Sequence, residues 1–65
     1  MKKINFALKQ ARMEKRMPAW ILAHRVGLYP QRFSLIEQGR LLPEIELQRK
    51  IAKELGKTLE ELFQK

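Results

Sequence analysis

Apolar residues recur along this chain at intervals of three and four, and no segment of useful length alternates apolar with polar positions. That rhythm predicts helices with one buried stripe and gives no strand. Ile4, Leu8 and Ala11 fall on one stripe, Leu22, Ala23 and Val26 on a second, and Phe33 and Ile36 on a third. Leu47, Ile51 and Leu55 follow at i, i+4 and i+8, and Leu59, Leu62 and Phe63 end the series. These residues are the expected core. Pro18, Gly27, Pro30, Gly39, Pro43 and Gly56 alternate between the stripes. Pro suits the start of a helix and Gly the left-handed residue just past its end.

The partition predicts five short helices. The first runs from an N-cap at Asn5 to Lys15 or Arg16. The second is opened by Pro18 and closed by Gly27, and the third is opened by Pro30 and closed by Gly39. The fourth starts after Pro43 and stops at Gly56. Thr58-Leu59-Glu60-Glu61 reads as a capping box, which starts a last helix reaching about Gln64. The expectation is an all-α chain with one domain over residues 1–65, frayed at 1–3 and 64–65. Met13 and Met17 are expected to fill gaps in the core.

Composition narrows the chemistry. The chain has 65 residues, 45% of them apolar, no cysteine, no aspartate and one histidine, His24. Disulfides and thiolate metal sites are out. His24 has no second ligand type nearby, so no metal and no cofactor is expected. No histidine–nucleophile pair or glycine-rich phosphate loop is present, and so short a chain encloses little pocket, so an enzyme is not expected. The longest apolar run, Ala19 to Ala23, is far short of the roughly 20 residues that span a bilayer. No secretory signal pattern is present. The expectation is a soluble, intracellular protein without membrane or small-molecule partners.

Charge supplies the first positive indication. Fourteen Lys and Arg stand against seven Glu, a net charge of +7. Residues 1–40 hold nine of the bases and two of the acids, so the whole excess lies there. A one-sided basic field suits a polyanion, because each neutralised phosphate releases counterions. Solubility alone is the competing explanation. The run Lys50, Lys53, Lys57 with Glu46 and Glu54 reads as a solvated helix face.

The second and third helices are separated by Gly27, Leu28 and Tyr29. Two short helices joined by a three-residue turn containing Gly form a helix-turn-helix unit, whose second helix can lie in a DNA major groove. With Phe33 and Ile36 inward, the opposite face presents Gln31, Ser34, Leu35 and Gln38, and Arg32 sits on its flank. The acid of this helix, Glu37, falls on the inward side. A core-facing carboxylate needs a partner, and the strong base on the facing side of the first helix is Arg12.

At this point the chain resembles the Cro and repressor-type helix-turn-helix domain, the XRE family. The matching residues are Leu8 with Arg12, then Leu22-Ala23 and Val26-Gly27-Leu28. They continue as Phe33-Ser34-Leu35-Ile36-Glu37-Gln38-Gly39-Arg40, Pro43, Lys50-Ile51-Ala52-Lys53-Glu54-Leu55-Gly56 and Leu59-Glu60-Glu61-Leu62-Phe63. The resemblance covers roughly 85% of the chain, and its specificity lies in the ordered set at fixed spacing. It implies a compact five-helix, lambda-repressor-like DNA-binding domain of transcriptional regulators, most simply a repressor, acting as a homodimer on palindromic double-stranded DNA. It also implies an ion pair between Arg12 and Glu37.

The base-reading positions that the resemblance implies are Pro30, Gln31, Ser34 and Leu35. Gln31 suits adenine and Leu35 a thymine methyl. Arg32 suits a guanine if it bends inward and a phosphate otherwise. Backbone contacts are expected from Arg16, Ala19, Trp20, Gln38 and Arg40, with Arg25 and Lys2 or Lys3 in second place. The chain departs from the family where Gln commonly starts the second helix, since Ala19 offers only its backbone N–H. Pro18 and Tyr29 stand where N-cap Ser is usual. Trp20 lies either on the sugar-phosphate backbone or over the core edge. Ile21, Leu41 and Leu42 are expected to form an exposed apolar patch, which suits a dimer or partner surface. Two other functions remain open: a protein-interaction module on the same scaffold, antitoxin-like or anti-repressor, and a membrane-surface binder using the first helix.

Overall fold

In a computed structural model the described residues, 4–63, form five helices and no strand. They are α1 (Phe6–Glu14), α2 (Ala19–Arg25), α3 (Pro30–Glu37), α4 (Ile45–Leu55) and α5 (Leu59–Phe63). The segments 1–3 and 64–65, expected to fray, lie outside the described residues, as do Lys2, Lys3 and Gln64. The Cα radius of gyration is 10.4 Å, close to the ~11 Å of a tightly packed chain of this size.

Local chemistry sets most of the boundaries. The Asn5 side chain accepts a hydrogen bond from the Leu8 N–H at 3.0 Å and caps α1. Its amide also donates to the Leu62 carbonyl at 2.9 Å, and its backbone N–H donates to the Glu37 carbonyl at 2.9 Å. One residue thus starts α1 and ties it to α5 and to the end of α3. Pro18 stands at the N-cap of α2 with extended backbone, while Pro30 occupies the first turn of α3. Gly56 ends α4 in the left-handed conformation, φ +66°. The capping box at α5 is reciprocal: Thr58 N–H donates to Glu61 Oε1 at 2.8 Å, and Glu61 N–H donates to Thr58 Oγ1 at 3.1 Å. The bond donated by the Thr58 N–H stabilises the ionised form and holds the Glu61 carboxyl below the usual glutamate value.

The core is built from Leu8 and Ala11, Leu22, Ala23 and Val26, Phe33 and Ile36, Ile51, Ala52 and Leu55, and Leu62. Leu47, Leu59 and Phe63 pack against it half-buried. Two expectations fail. Ile4 is 48% exposed, because α1 begins beyond the Asn5 cap and leaves Ile4 outside the helical stripe. Met13 is 61% exposed and lies on the outer face of α1 beside Phe6, whereas Met17 does pack on the core. Pro43 is buried, which the pattern of apolar helical positions does not register.

Candidate nucleic-acid interface

The geometry of α3 follows from how α2 hands the chain over. Val26 ends α2, and Leu28 N–H reaches back to the Ala23 carbonyl at 2.8 Å. This closing bond needs a left-handed residue in between, and Gly27 supplies it at φ +81°. A Cβ at Gly27 would meet nothing within 4 Å, so backbone conformation rather than space calls for glycine here. Leu28 then packs against the core, and Tyr29, extended, leads into Pro30. Phe33 and Ile36 are fully buried and fix the rotation of α3 about its axis. The opposite side must therefore face solvent.

That side carries Gln31, Ser34, Leu35 and Gln38, all exposed, with Leu35 at 39%. The Gln38 side-chain amide donates to Ser34 Oγ at 2.8 Å, which orders two of the four. Arg32 is exposed on the flank, where it lines a groove with Leu28, Ile36 and Leu41. Past the end of α3, Gly39 is left-handed at φ +76°, and Arg40 N–H bonds back to the Leu35 carbonyl at 2.9 Å. Arg40 is exposed.

Glu37, the acid of α3, turns away from this surface. Arg12 Nε donates to Glu37 Oε2 at 2.7 Å and Nη2 donates to Oε1 at 3.1 Å, a two-pronged pair. The remaining Nη1 donates to the Met17 carbonyl at 3.0 Å. The two side chains are 13% and 14% exposed. The pair joins α1 to α3 and leaves the solvent face of α3 without an acid of its own.

The remaining candidates are spread around this face. Arg16 is exposed just past the end of α1 and has φ +54°, a left-handed conformation that glycine adopts more cheaply. Ala19 is half-buried at the first residue of α2, and Pro18 gives that turn no side-chain cap. Trp20 is 62% exposed and lines a groove with His24, Tyr29 and Pro30. Arg25, a second-place backbone candidate, instead lies 3.4 Å from Glu54 and bridges α2 to α4. Lys57 meets Glu14 at 3.5 Å, so the α4 charge run is partly engaged in pairs. The expected patch of Ile21, Leu41 and Leu42 is smaller than its sequence suggests. Ile21 and Leu41 are half-buried, and only Leu42, at 76%, stands fully out.

Sequence reasoning missed the second and third bonds of Asn5, the Met17 carbonyl under Arg12 and the left-handed Arg16. The first join residues distant in sequence, the second depends on the turn that follows α1, and only the absence of Gly or Asn after α1 hinted at the third. Among the described residues no group of three or more His, Cys, Asp or Glu could hold a metal, and no helix is long and apolar enough to cross a membrane.

No protein-family model matches the chain, and no curated protein sequence does. Among solved structures, the chain is similar to the clp gene regulator ClgR from Corynebacterium glutamicum, with a TM-score of 0.80 and 27% sequence identity. The likeness covers 85% of this chain and 58% of that regulator's, so the chain matches little more than half of the larger molecule. The five-helix architecture is thus one that a gene regulator uses.

Proposed function

We propose that the chain binds double-stranded DNA with the solvent face of α3 in the major groove, as a transcriptional regulator of the Cro and repressor type, most simply a repressor. The observation that carries this reading is the acid-free face of α3, held outward by Phe33 and Ile36, with its one carboxylate locked to Arg12. A net charge of +7 and the likeness to a gene regulator's fold support it. Gln31 and Leu35 take the base-reading role, with Ser34 held between them and Gln38. Arg16, Gln38, Arg40, Trp20 and the Ala19 N–H take the backbone, and Arg32 joins from the flank. Two copies on a palindrome would set two α3 helices about one helical turn apart, roughly 34 Å. A regulator of this kind works in the cytoplasm, on the nucleoid.

Selection from random duplexes, followed by footprinting, tests this directly. An enriched site should appear, and Gln31→Ala should flatten the preference at one position, at a cost of about 1–3 kcal/mol in discrimination. Failure to enrich any sequence, with no shift of a duplex pool at low salt, overturns the reading.

A second reading has its own observation. Trp20 and Leu42 are 62% and 76% exposed, which suits a protein-interaction module on the same scaffold. Copurification of a tight protein partner, without any duplex shift, would favour it.

A further inference from the structure

The turn between α2 and α3 leaves a groove of about 590 Å³, lined by Trp20, His24, Gly27, Leu28, Tyr29 and Pro30. Trp20 and His24 lie one helical turn apart on α2, so they share a face. Tyr29 joins them from the N-cap of α3. Gly27, in the connecting turn, brings no side chain, and a Cβ there would meet nothing within 4 Å, so the hollow is open. Trp20 is 62% exposed and Tyr29 80%, and neither belongs to the buried core. Among the described residues the indole N–H, the phenol hydroxyl and the His24 ring take part in no hydrogen bond. Two large rings thus stand in one groove with their polar ends unused.

We propose that this groove holds an unpaired base of single-stranded DNA, stacked on Trp20 and Tyr29. Charge and shape together favour this occupant. No acid lines the groove, and the chain carries a net charge of +7, which attracts a polyanion. A second copy of the chain would bring the same positive charge against itself. A proline-rich peptide, which aromatic grooves also hold, gains nothing from that field if it is uncharged. A duplex offers phosphates and base edges, while its base faces are covered by their own stacking. An unpaired strand offers both a flat face for each ring and a charged backbone for the field, the combination on which single-strand binding rests. Leu28 and Pro30 add apolar contact for a thymine methyl, which DNA carries and RNA lacks.

The proposal goes beyond the duplex reading and does not rest on it, because it needs base faces that a duplex hides. Trp20 is the single tryptophan of the chain, so its fluorescence reports on the groove directly. The parent is titrated at low salt with oligothymidylate and with an abasic strand of equal length. Counterion release is common to the two strands, and the difference isolates the bases. Oligothymidylate should quench Trp20 and bind at least about fivefold more tightly than the abasic strand. Oligouridylate should bind less tightly than oligothymidylate. Tyr29→Ala, which keeps the reporter, should weaken oligothymidylate binding about fivefold or more, with abasic affinity and helical circular dichroism unchanged. Trp20→Ala, followed by anisotropy of a labelled strand, should remove the preference for bases. Equal affinity for the two thymidylate-length strands overturns the proposal, as does a Tyr29→Ala variant that binds oligothymidylate like the parent. Tighter binding of oligouridylate, or stronger quenching by polyproline, overturns the choice of DNA as occupant. Base-dependent single-strand binding with no duplex shift would sink the duplex reading alone, and duplex binding without any preference for bases over abasic strand would sink this one alone.

Discussion

Arg12 has three directed bonds and almost no water around it, so it is the side chain whose loss should be felt most. Removing it strands the Glu37 carboxylate at 14% exposure. Arg12→Met should cost about 2–3 kcal/mol in chemical denaturation, a large share of what so small a domain has. Arg12→Lys should recover little, because an ammonium cannot reach both carboxylate oxygens and the Met17 carbonyl together. A variant as stable as the parent would refute this account of the pair. The need for a pair was legible in sequence, because a core-facing Glu demands a base; the Met17 carbonyl was not, since a turn decides it. Arg16 invites the opposite experiment. Its left-handed backbone costs about 1 kcal/mol that glycine would avoid. Arg16→Gly should therefore raise the unfolding midpoint while weakening duplex binding. A gain in stability with unchanged binding would remove Arg16 from the interface.

At the scale of elements, helix ends are set by single residues and were the most readable feature of the sequence. The regular alternation of Pro and Gly marked six boundaries because each works through its own backbone restriction, independent of tertiary contacts. The capping box was equally local. Its consequence is measurable: with the Glu61 carboxyl held below its usual value by the Thr58 N–H, the ionised form is favoured in the folded state. That contribution is present above the unfolded-state value and is lost as pH falls through the lower folded-state value. Following the Glu61 carboxyl by NMR should show it titrating below the usual glutamate value, and Thr58→Pro, which removes the donor N–H, should raise it again. Asn5→Ala should cost about 1–2 kcal/mol, because the bond from its amide to the Leu62 carbonyl is lost together with the cap. The burial of side chains flanking an element was less readable. Ile4 has the spacing of a core residue yet precedes its helix, and Met13, expected in the core as a flexible filler, faces outward. Periodicity cannot see where a cap begins a helix, nor how wide a stripe the neighbouring helices cover.

For the whole molecule, the five-helix arrangement could be anticipated because stripe, cap and turn signals agree with one another. The interface could be anticipated only as a face. Burial of Phe33 and Ile36 dictates what lies opposite them, but which of Arg16, Arg25, Arg32 and Arg40 remain free for a polyanion depends on tertiary pairing. Arg25 is engaged by Glu54 and Arg32 leans to a groove, and neither fact has a local signal. The central claim is that the α3 face, rather than net charge at large, holds the duplex. Two charge-reducing variants separate these possibilities in one anisotropy titration of a labelled duplex at low salt. Leu35→Glu, which puts an acid in the middle of the α3 face, should abolish binding. Lys53→Glu, which removes twice as much positive charge from an exposed position on α4, should weaken it only modestly, by about the long-range screening loss. Equal weakening by the two, or a greater loss with Lys53→Glu, would contradict the account.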